Sequence, residues 1–242
     1  MRCPGQDSRN WQPGAIFEAE CPKCGAQVEF FKDEPTRRCR NCGHKCLNPK
    51  MDFGCAAYCK HADHCLGDLP PELLAQRENL LKDRVALEMK KYFHKDFKRI
   101  GHAVRVAQIA EKIVALEQGD PAVVLMAAYL HDIGIQEAER KHNSNAPVHQ
   151  EKEGPPIARD ILSRLGARAD LVDEVCDIIG HHHHPRSKET LNFKCLYDAD
   201  LLVNLEEKQK ENPAEKERLK GVIANSFLTE SGKKLAEELL LG

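Results

Sequence analysis

The sequence lacks a long hydrophobic run and lacks an excess of charge of either sign. None of its apolar stretches approaches the roughly 20 residues of a membrane-spanning helix, and the formal net charge is −2 over 242 residues. A chain without a strongly basic balance gives no electrostatic case for a nucleic-acid or membrane partner. We therefore expect neither kind of partner.

A secretory signal is also missing from the start of the chain. Residues 1–16 have neither the basic beginning nor the apolar centre of such a signal. We expect an intracellular protein, and more specifically a cytoplasmic one. Because 41% of the residues are hydrophobic, the chain can bury one large core and a smaller appendage.

Cysteine is scarce in most of the chain and concentrated at its beginning. Of the 11 cysteines, only Cys176 and Cys195 follow Cys65. In a chain without an export signal, dense cysteine indicates metal binding before it indicates disulfides. We predict a metal-stabilised module over residues 1–67 and a second domain over 68–242, with the proline-containing stretch 68–71 as the hinge.

Two Cys-x-x-Cys-Gly motifs lie within the first module. Each motif brings two thiolates to one ion, and the two motifs together complete a tetrahedral site of four sulfur atoms. The arrangement resembles a zinc ribbon over about residues 15–47, with a strand predicted at 28–31. The predicted structural zinc ligands are Cys21, Cys24, Cys39 and Cys42. Iron in the same cage stays open, because the ligands do not separate the two metals.

Four more cysteines follow the first motifs. Cys46, Cys55, Cys59 and Cys65 are enough for a second zinc site or for an iron–sulfur cluster. Their spacing matches neither standard pattern, so both alternatives stay open at this point.

After the hinge the sequence predicts helices almost throughout. Apolar residues recur at helical intervals, and no segment there predicts a strand. We therefore predict a mainly α fold, a helical bundle with the small cysteine module before it; the ligand pattern described below resembles that of an HD-type bundle. The predicted helices span residues 72–93, 96–118, 121–132, 157–165, 171–182, 193–208, 213–226 and 231–240.

A histidine and an aspartate lie side by side where the most apolar helix ends. His131 and Asp132 follow the run 121–129, and both are costly to bury unless a charged partner meets them. Adjacent helical residues point about 100° apart, so the two side chains reach one ion only at a helix end. Gly134 is placed to mark that end. The pair therefore indicates a metal site.

Three further polar residues continue apolar stripes of predicted helices and should face the core. They are His102, His182 and Asp200. A histidine, then a His-Asp pair, then a distant aspartate, all on helices, resembles the HD superfamily of metal-dependent phosphohydrolases. The resemblance covers about residues 97–240. It implies a metal held by His102, His131, Asp132 and Asp200, with His131 and Asp132 in the catalytic centre.

Members of that superfamily with two metals carry extra histidines between the His-Asp pair and the last aspartate. The resemblance implies that these are His149, His181 and His182 here, with Asp132 bridging the ions. We expect His142, His183 and His184 at the surface. Mixed histidine and aspartate ligation suits manganese, iron, nickel, cobalt or zinc, as one or two ions.

The ligands and the resemblance together predict hydrolysis of a phosphate ester by a metal-activated water. Arg99 and Lys141 are the leading candidates to bind the substrate phosphate. Typical cyclic-dinucleotide phosphodiesterases of the superfamily have a lysine where this chain has Ile135, and the alarmone hydrolases carry a Glu-Asp pair that residues 136–139 do not match. We therefore expect a nucleotide or another small phosphate ester.

An alternative function belongs to a different class. The helical domain could be a non-hydrolytic, metal-binding regulatory module, and an iron–sulfur cluster in the cysteine module would add redox sensing. The intact His-Asp pair favours the enzyme. The sequence leaves the subunit number open, with a homo-oligomer as one option.

Overall fold

The computed structural model describes residues 14–32, 34, 36–50 and 71–242, without the side chains of Leu47 and of residues 71–79. The chain divides into two compact units, Met1–Arg77 and Glu78–Gly242. The predicted boundary between residues 67 and 68 lies outside the described residues and stays a prediction. Of the helices described, none combines the length and the apolarity needed to cross a membrane.

The first unit contains two antiparallel hairpins. Strand β1 (Ile16–Glu20) pairs with β2 (Gln27–Phe31), and β3 (Thr36–Arg38) pairs with β4 (Lys45–Leu47). The rings of Phe17 and Phe30, opposite each other in the first hairpin, stack with centroids 5.8 Å apart. The strand predicted at 28–31 is confirmed, because it lies within β2.

From residue 71 onward the described chain is helical, and the prediction of a mainly α fold is confirmed. The helices are α1 (Pro71–Phe93), α2 (Phe97–Glu117), α3 (Pro121–Leu130), α4 (Ile135–His142), α5 (Pro147–Leu165), α6 (Ala169–Ile179), α7 (Leu191–Glu211), α8 (Lys216–Ser226) and α9 (Glu230–Leu241).

Helix α3 lies at the centre of the helical core. Every residue after Pro121 except Tyr129 is buried, because the sequence PAVVLMAAYL is apolar on all faces. The carboxylate of Asp120 caps the helix by accepting a hydrogen bond from Ala122 N at 2.8 Å. Helices α2, α6 and α7 pack against α3. The residues that follow α3, beginning with His131, are therefore in the interior.

Helix α5 begins ten residues before the predicted start. The predicted start at residue 157 was wrong, because the helix begins at Pro147 and contains both Pro155 and Pro156. The two prolines remove the N–H groups that would bond to the carbonyls of Glu151 and Lys152. One consequence is that His149 lies within the helix and not before it.

Helix α6 ends earlier than predicted. It stops at Ile179, and residues 180–184 form a turn and bend. The prediction of a helix to residue 182 continued the apolar stripe through Gly180, a residue that weakens helices. The four histidines 181–184 therefore follow the helix, and their side chains are not placed by helical spacing.

Asp198 of helix α7 is fully buried and connects this helix to the residues just before α9. Its carboxylate accepts hydrogen bonds from Leu228 N at 2.8 Å, from Thr229 N at 2.7 Å and from Thr229 Oγ1 at 2.7 Å. A side chain at Gly232 would collide with that carboxylate. These contacts connect α7 to the start of α9 and fix the segment that carries Asp200.

Two glycines let the turn after α3 approach helix α5. A Cβ at Gly134 would lie 2.6 Å from Gly154 N and 2.9 Å from Gly154 Cα, and it would also collide with Gln150 O. A β-carbon essentially never comes this close to backbone atoms. The absence of a side chain at Gly134 therefore brings the turn that contains Asp132 against α5.

We expect Gly134→Ala to lower the free energy of unfolding by about 1–3 kcal/mol, because an added methyl group overpacks this backbone contact. Chemical denaturation followed by circular dichroism measures the change. The control is Gly101→Ala, since Gly101 lies inside α2 and a Cβ there meets nothing within 4 Å. The control should keep its stability or gain up to about 1 kcal/mol. Equal stability of the two variants would contradict the close contact.

Candidate metal centre

Two buried imidazoles are oriented by backbone carbonyl groups. The Nδ1 atom of His131 donates to Ala128 O at 2.9 Å, and Nδ1 of His182 donates to Ile179 O at 2.8 Å. Because a carbonyl oxygen only accepts, the proton sits on Nδ1, and the lone pair of the neutral ring is on Nε2. Both Nε2 atoms are buried. Among the buried side-chain nitrogen and oxygen atoms of the described residues, these two are the ones without a hydrogen-bond partner. A metal cation satisfies such an atom.

His102, His131 and Asp200 form a first group of ligand atoms. Asp200 Oδ1 lies 3.0 Å from His102 Nε2 and 3.5 Å from His131 Nε2. Ligand atoms bound at about 2.0–2.2 Å to one ion are roughly 3–3.5 Å apart. The three side chains come from α2, from the end of α3 and from α7, and together they could hold a metal ion.

Asp132, His182 and His183 form a second group. The two oxygens of Asp132 point to different neighbours. Oδ2 lies 3.4 Å from His131 Nε2 and 3.9 Å from His102 Nε2, whereas Oδ1 lies 3.7 Å from His182 Nε2. The Asp132 carboxylate thus lies between the two groups and could contribute an oxygen to each.

The pKa shifts of these residues indicate that the site favours positive charge. Burial opposes the ionised form of Asp132, but His131 and His182 outweigh this effect and hold the pKa of Asp132 well below its usual value. Burial likewise opposes protonation of His131, but Asp132 and Asp200 raise its pKa to about 9. The field that attracts a proton to His131 also attracts a cation. For His183, burial and the neighbouring His182 lower the pKa to about 4, so its ring is neutral at pH 7.

Glu207 is the hydrogen-bond partner of the third imidazole, that of His102. Its Oε1 atom lies 3.1 Å from His102 Nδ1, on the opposite side of the ring from Asp200. When Nδ1 donates to Glu207, the lone pair on Nε2 faces the first group. A carboxylate partner of this kind fixes the tautomer and makes a ligating histidine more basic. Sequence reasoning did not find Glu207; the signal was its position seven residues, or about two helical turns, after Asp200 on α7.

The two groups open into a cavity of about 390 Å³. Its walls carry His102, Asp132, Asp200 and Glu207, together with amide side chains and Lys98, for which the described residues supply no carboxylate partner. The residues that line the cavity are Lys98, Arg99, His102, Asp132, Ile135, Asn145, Gln150, His183, Asp200, Asn204 and Glu207.

The structure brings together five of the seven predicted ligands and adds one that was expected at the surface. The expectation that His183 is exposed was wrong: it is half-buried and lies beside Asp132 and His182. The reason is the early end of α6, after which the turn places both His182 and His183 on the inner side.

The structure does not bring His149 or His181 into the site. The ring of His149 stacks on that of His142, with centroids 4.2 Å apart. The next residue of α5, Gln150, points to the cavity instead, with Oε1 3.4 Å from His183 Nε2 and Nε2 bonded to Asn145 O. These placements correct the predicted use of His149 and identify Gln150, which the sequence did not single out.

His181 has a structural role in the loop after α6. Its Nδ1 atom donates to Asp177 O at 2.6 Å, its Nε2 atom faces Glu189 Oε1 at 3.1 Å, and its ring stacks on Phe193. Both ring nitrogens are therefore occupied, and the predicted use of His181 as a ligand does not match its surroundings.

The predicted phosphate-binding cations are both neutralised by carboxylates. Arg99 lines the cavity but pairs with Asp96 at 2.8 Å and with Glu139 at 2.6 Å. Lys141 pairs with Glu153 at 2.7 Å and is not among the lining residues. Lys98 is the lining cation without a carboxylate partner among the described residues, and it is better placed for a phosphate than Lys141.

Four cysteines of the first unit form a separate ligand group. The backbone repeats itself in the two motifs: Cys21 N donates to Ala26 O, and Cys39 N donates to His44 O. Gly25 and Gly43 both have φ +70°, which favours glycine. Cys21 Sγ lies 3.7 Å from Cys42 Sγ, and Cys24 Sγ lies 3.6 Å from Cys39 Sγ. Four sulfurs at 2.3 Å from one tetrahedral ion are about 3.8 Å apart, so the group fits zinc.

Cys46 lies in the small core beside this group and is 2% exposed. It was predicted to belong to a second metal centre with Cys55, Cys59 and Cys65. Those three residues lie outside the described part of the chain, so the second centre stays a prediction.

Comparisons with known proteins agree with this geometry. Residues 99–205, all within the second unit, match the family described as "HD domain". Ribonuclease Y from two strains of Thermus thermophilus is 36% identical over 102 residues, which is 42% of this chain and 15% of each relative. The chain thus spans a small part of the length of these relatives.

A solved structure is also similar. It is the crystal structure of a predicted HD superfamily hydrolase from an uncultured Thermotogales bacterium, with 28% identity and a TM-score of 0.45. The match covers 64% of this chain and 82% of that one.

We expect Glu207→Gln to weaken divalent-metal binding about 10- to 100-fold, because the His102 ring loses its carboxylate partner. Calorimetric titration with Mn²⁺ measures the affinity. Glu206→Gln is the matched control, since the neighbouring Glu206 pairs with Arg105 at 2.8 Å and not with His102. The same affinity in both variants would show that Glu207 does not orient the ligand.

Proposed function

We propose that this chain is a metal-dependent phosphohydrolase that acts on a nucleotide or another small phosphate ester. The observation that carries the proposal is the pair of buried, partnerless Nε2 atoms of His131 and His182, which point to carboxylates at a cavity. Such a set of atoms is costly without a cation. The HD domain match supports the same reaction class.

The ligand roles follow the two groups of atoms. His102, His131, Asp132 and Asp200 would hold one divalent ion, and Asp132, His182 and His183 would hold a second. An ion bound there lowers the pKa of a water molecule towards neutrality and neutralises charge on phosphate oxygens. Manganese, iron, nickel, cobalt and zinc all suit these nitrogen and oxygen ligands.

The remaining residues of the cavity would bind and orient the substrate. Lys98 offers an unpaired ammonium group to the phosphate at the rim. Gln150 and Asn204 also line the cavity, and each amide has one N–H group beyond the one bonded to Asn145 O or to Asp200 Oδ1. The name ribonuclease Y of the relatives supports a phosphodiester bond as the bond that is cut.

We expect Asp132→Asn to lower the hydrolysis rate at least a hundredfold, because the carboxylate between both ligand groups loses its charge. The measurement is release of nitrophenol from bis(p-nitrophenyl) phosphate with Mn²⁺, alongside a screen of nucleotides. Asp160→Asn is the control, since Asp160 is an exposed partner of Arg164 on α5. Circular dichroism should show the same helicity for both variants. Full activity of Asp132→Asn would remove the catalytic proposal.

We further propose a structural zinc ion on Cys21, Cys24, Cys39 and Cys42. Cys24→Ser should remove about one zinc per chain and lower the melting temperature of the first unit, since the binding free energy of zinc contributes to folding. Elemental analysis of the purified protein gives the count. Cys46→Ser is the control and should keep this zinc. Unchanged zinc content in Cys24→Ser would refute the site.

A further inference from the structure

We propose that Glu151 of α5 is a positioning residue for the second ion, because its carboxylate fixes the turn that carries His182 and His183. We call residues 180–184 the histidine turn. The inference rests on the proposed function, since it concerns the second of the two ions of that site. Glu151 does not line the cavity, so it acts through the histidine turn and not on the substrate.

The two ligand groups differ in the elements that supply them. In the first group, His102 and Asp200 lie inside long helices of the core, and His131 directly follows α3. In the second group, His182 and His183 both lie in the histidine turn, beyond the last residue of α6. A turn lacks the repeated hydrogen bonds between successive turns that hold a helical residue in place. The positions of His182 and His183 therefore depend on contacts between the histidine turn and its neighbours.

Glu151 supplies such a contact from the neighbouring helix α5. Its Oε1 atom accepts a hydrogen bond from His183 N at 3.0 Å, and its Oε2 atom accepts one from His184 Nδ1 at 2.8 Å. The side chain of Glu151 is only 10% exposed, so water competes little for these bonds. Hydrogen bonds to an ionised carboxylate are roughly twice as strong as those between neutral groups. The carboxylate thus restrains the backbone of His183, and with it the direction in which the ring points.

The residue before Glu151 shows that this contact faces the site. Gln150 Oε1 lies 3.4 Å from His183 Nε2, and Gln150 lines the cavity. Adjacent residues of α5 thus contact both the ring and the backbone of His183. The rings of His182 and His183 lie against each other, with centroids 3.9 Å apart. A shift of His183 would therefore also disturb His182.

A second carboxylate of the same loop does not bond to the two ligands. Glu189 accepts a hydrogen bond from Arg186 N at 2.5 Å and faces His181 Nε2 at 3.1 Å, so it holds residues on either side of them. Within the described chain, Glu151 is the carboxylate that bonds to the backbone of a candidate ligand. Its substitution should therefore affect the second ion and leave the first in place.

The test counts Mn²⁺ ions bound to the full chain by calorimetric titration. We expect Glu151→Ala to weaken binding of the second ion about 10- to 100-fold, as loss of a group that orients a ligand commonly does, while the first ion keeps its affinity. Electron paramagnetic resonance gives an independent readout, because two Mn²⁺ ions that share a carboxylate are magnetically coupled. At two Mn²⁺ per chain, the parent should show the coupled signal, and Glu151→Ala should show mainly that of a single ion.

Glu153→Ala is the matched control. Glu153 lies on the same helix, its side chain is also 10% exposed, and its carboxylate pairs with Lys141 and His142 and not with the histidine turn. This variant should bind two Mn²⁺ ions and show the coupled signal. Glu151→Gln keeps an oxygen that can accept from His183 N, so it should recover part of the affinity that Glu151→Ala loses.

The outcomes separate this inference from the proposed function. Two coupled Mn²⁺ ions without hydrolysis of any ester would overturn the proposed function and leave the role of Glu151. Hydrolysis by a parent protein that binds a single Mn²⁺ ion would overturn this inference alone. Equal binding of the second ion in Glu151→Ala and Glu153→Ala would do the same. So would loss of both ions from Glu151→Ala when circular dichroism shows the helicity of the parent.

Discussion

The helical unit depends on one electrostatic constraint: carboxylates and imidazole nitrogen atoms converge beside an interior cavity, where the protein shields most of their surface from water. Asp132 and Asp200 remain ionised despite burial because histidines surround them and lower the pKa of each. Backbone carbonyls hold His131 and His182 so that their free nitrogen atoms face those carboxylates. A cation bound among these atoms would offset the cost of burying them. The arrangement of α2, α3, α6 and α7 is the scaffold that delivers side chains to this point.

The backbone contacts around the cluster serve the same purpose. The contact of Gly134 with Gly154 presses the Asp132 turn against α5, and the buried Asp198 fixes α7 two residues before Asp200. Each of these features lies next to a ligand and restricts its position. The candidate ligands are therefore positioned by packed helices and buried turns.

The sequence was informative where periodicity or spacing decides the structure. The apolar run before His131, the stripes that carry His102 and Asp200, and the repeated Cys-x-x-Cys-Gly motifs predicted elements and groupings that the structure contains. It failed where a helix end decides which side chain faces inward. Gly180 ends α6 and turns His183 inward, and α5 continues through Pro155, which places Gln150 and not His149 at the cavity. Pairing was only partly visible in the sequence: Arg99 pairs with nearby Asp96 but also with Glu139, and Lys141 pairs with Glu153. Lys98 has no carboxylate partner among the described residues.

The imidazoles of His102, His131 and His182 differ in the group that faces their Nδ1 atoms. Ala128 O and Ile179 O belong to the main chain, which every sequence shares, so no replacement of a side chain can take these acceptors away from His131 and His182. His102 relies instead on a glutamate that evolution is free to exchange. Of these three imidazoles, His102 is therefore the one whose orientation a single side-chain substitution, at Glu207, can release.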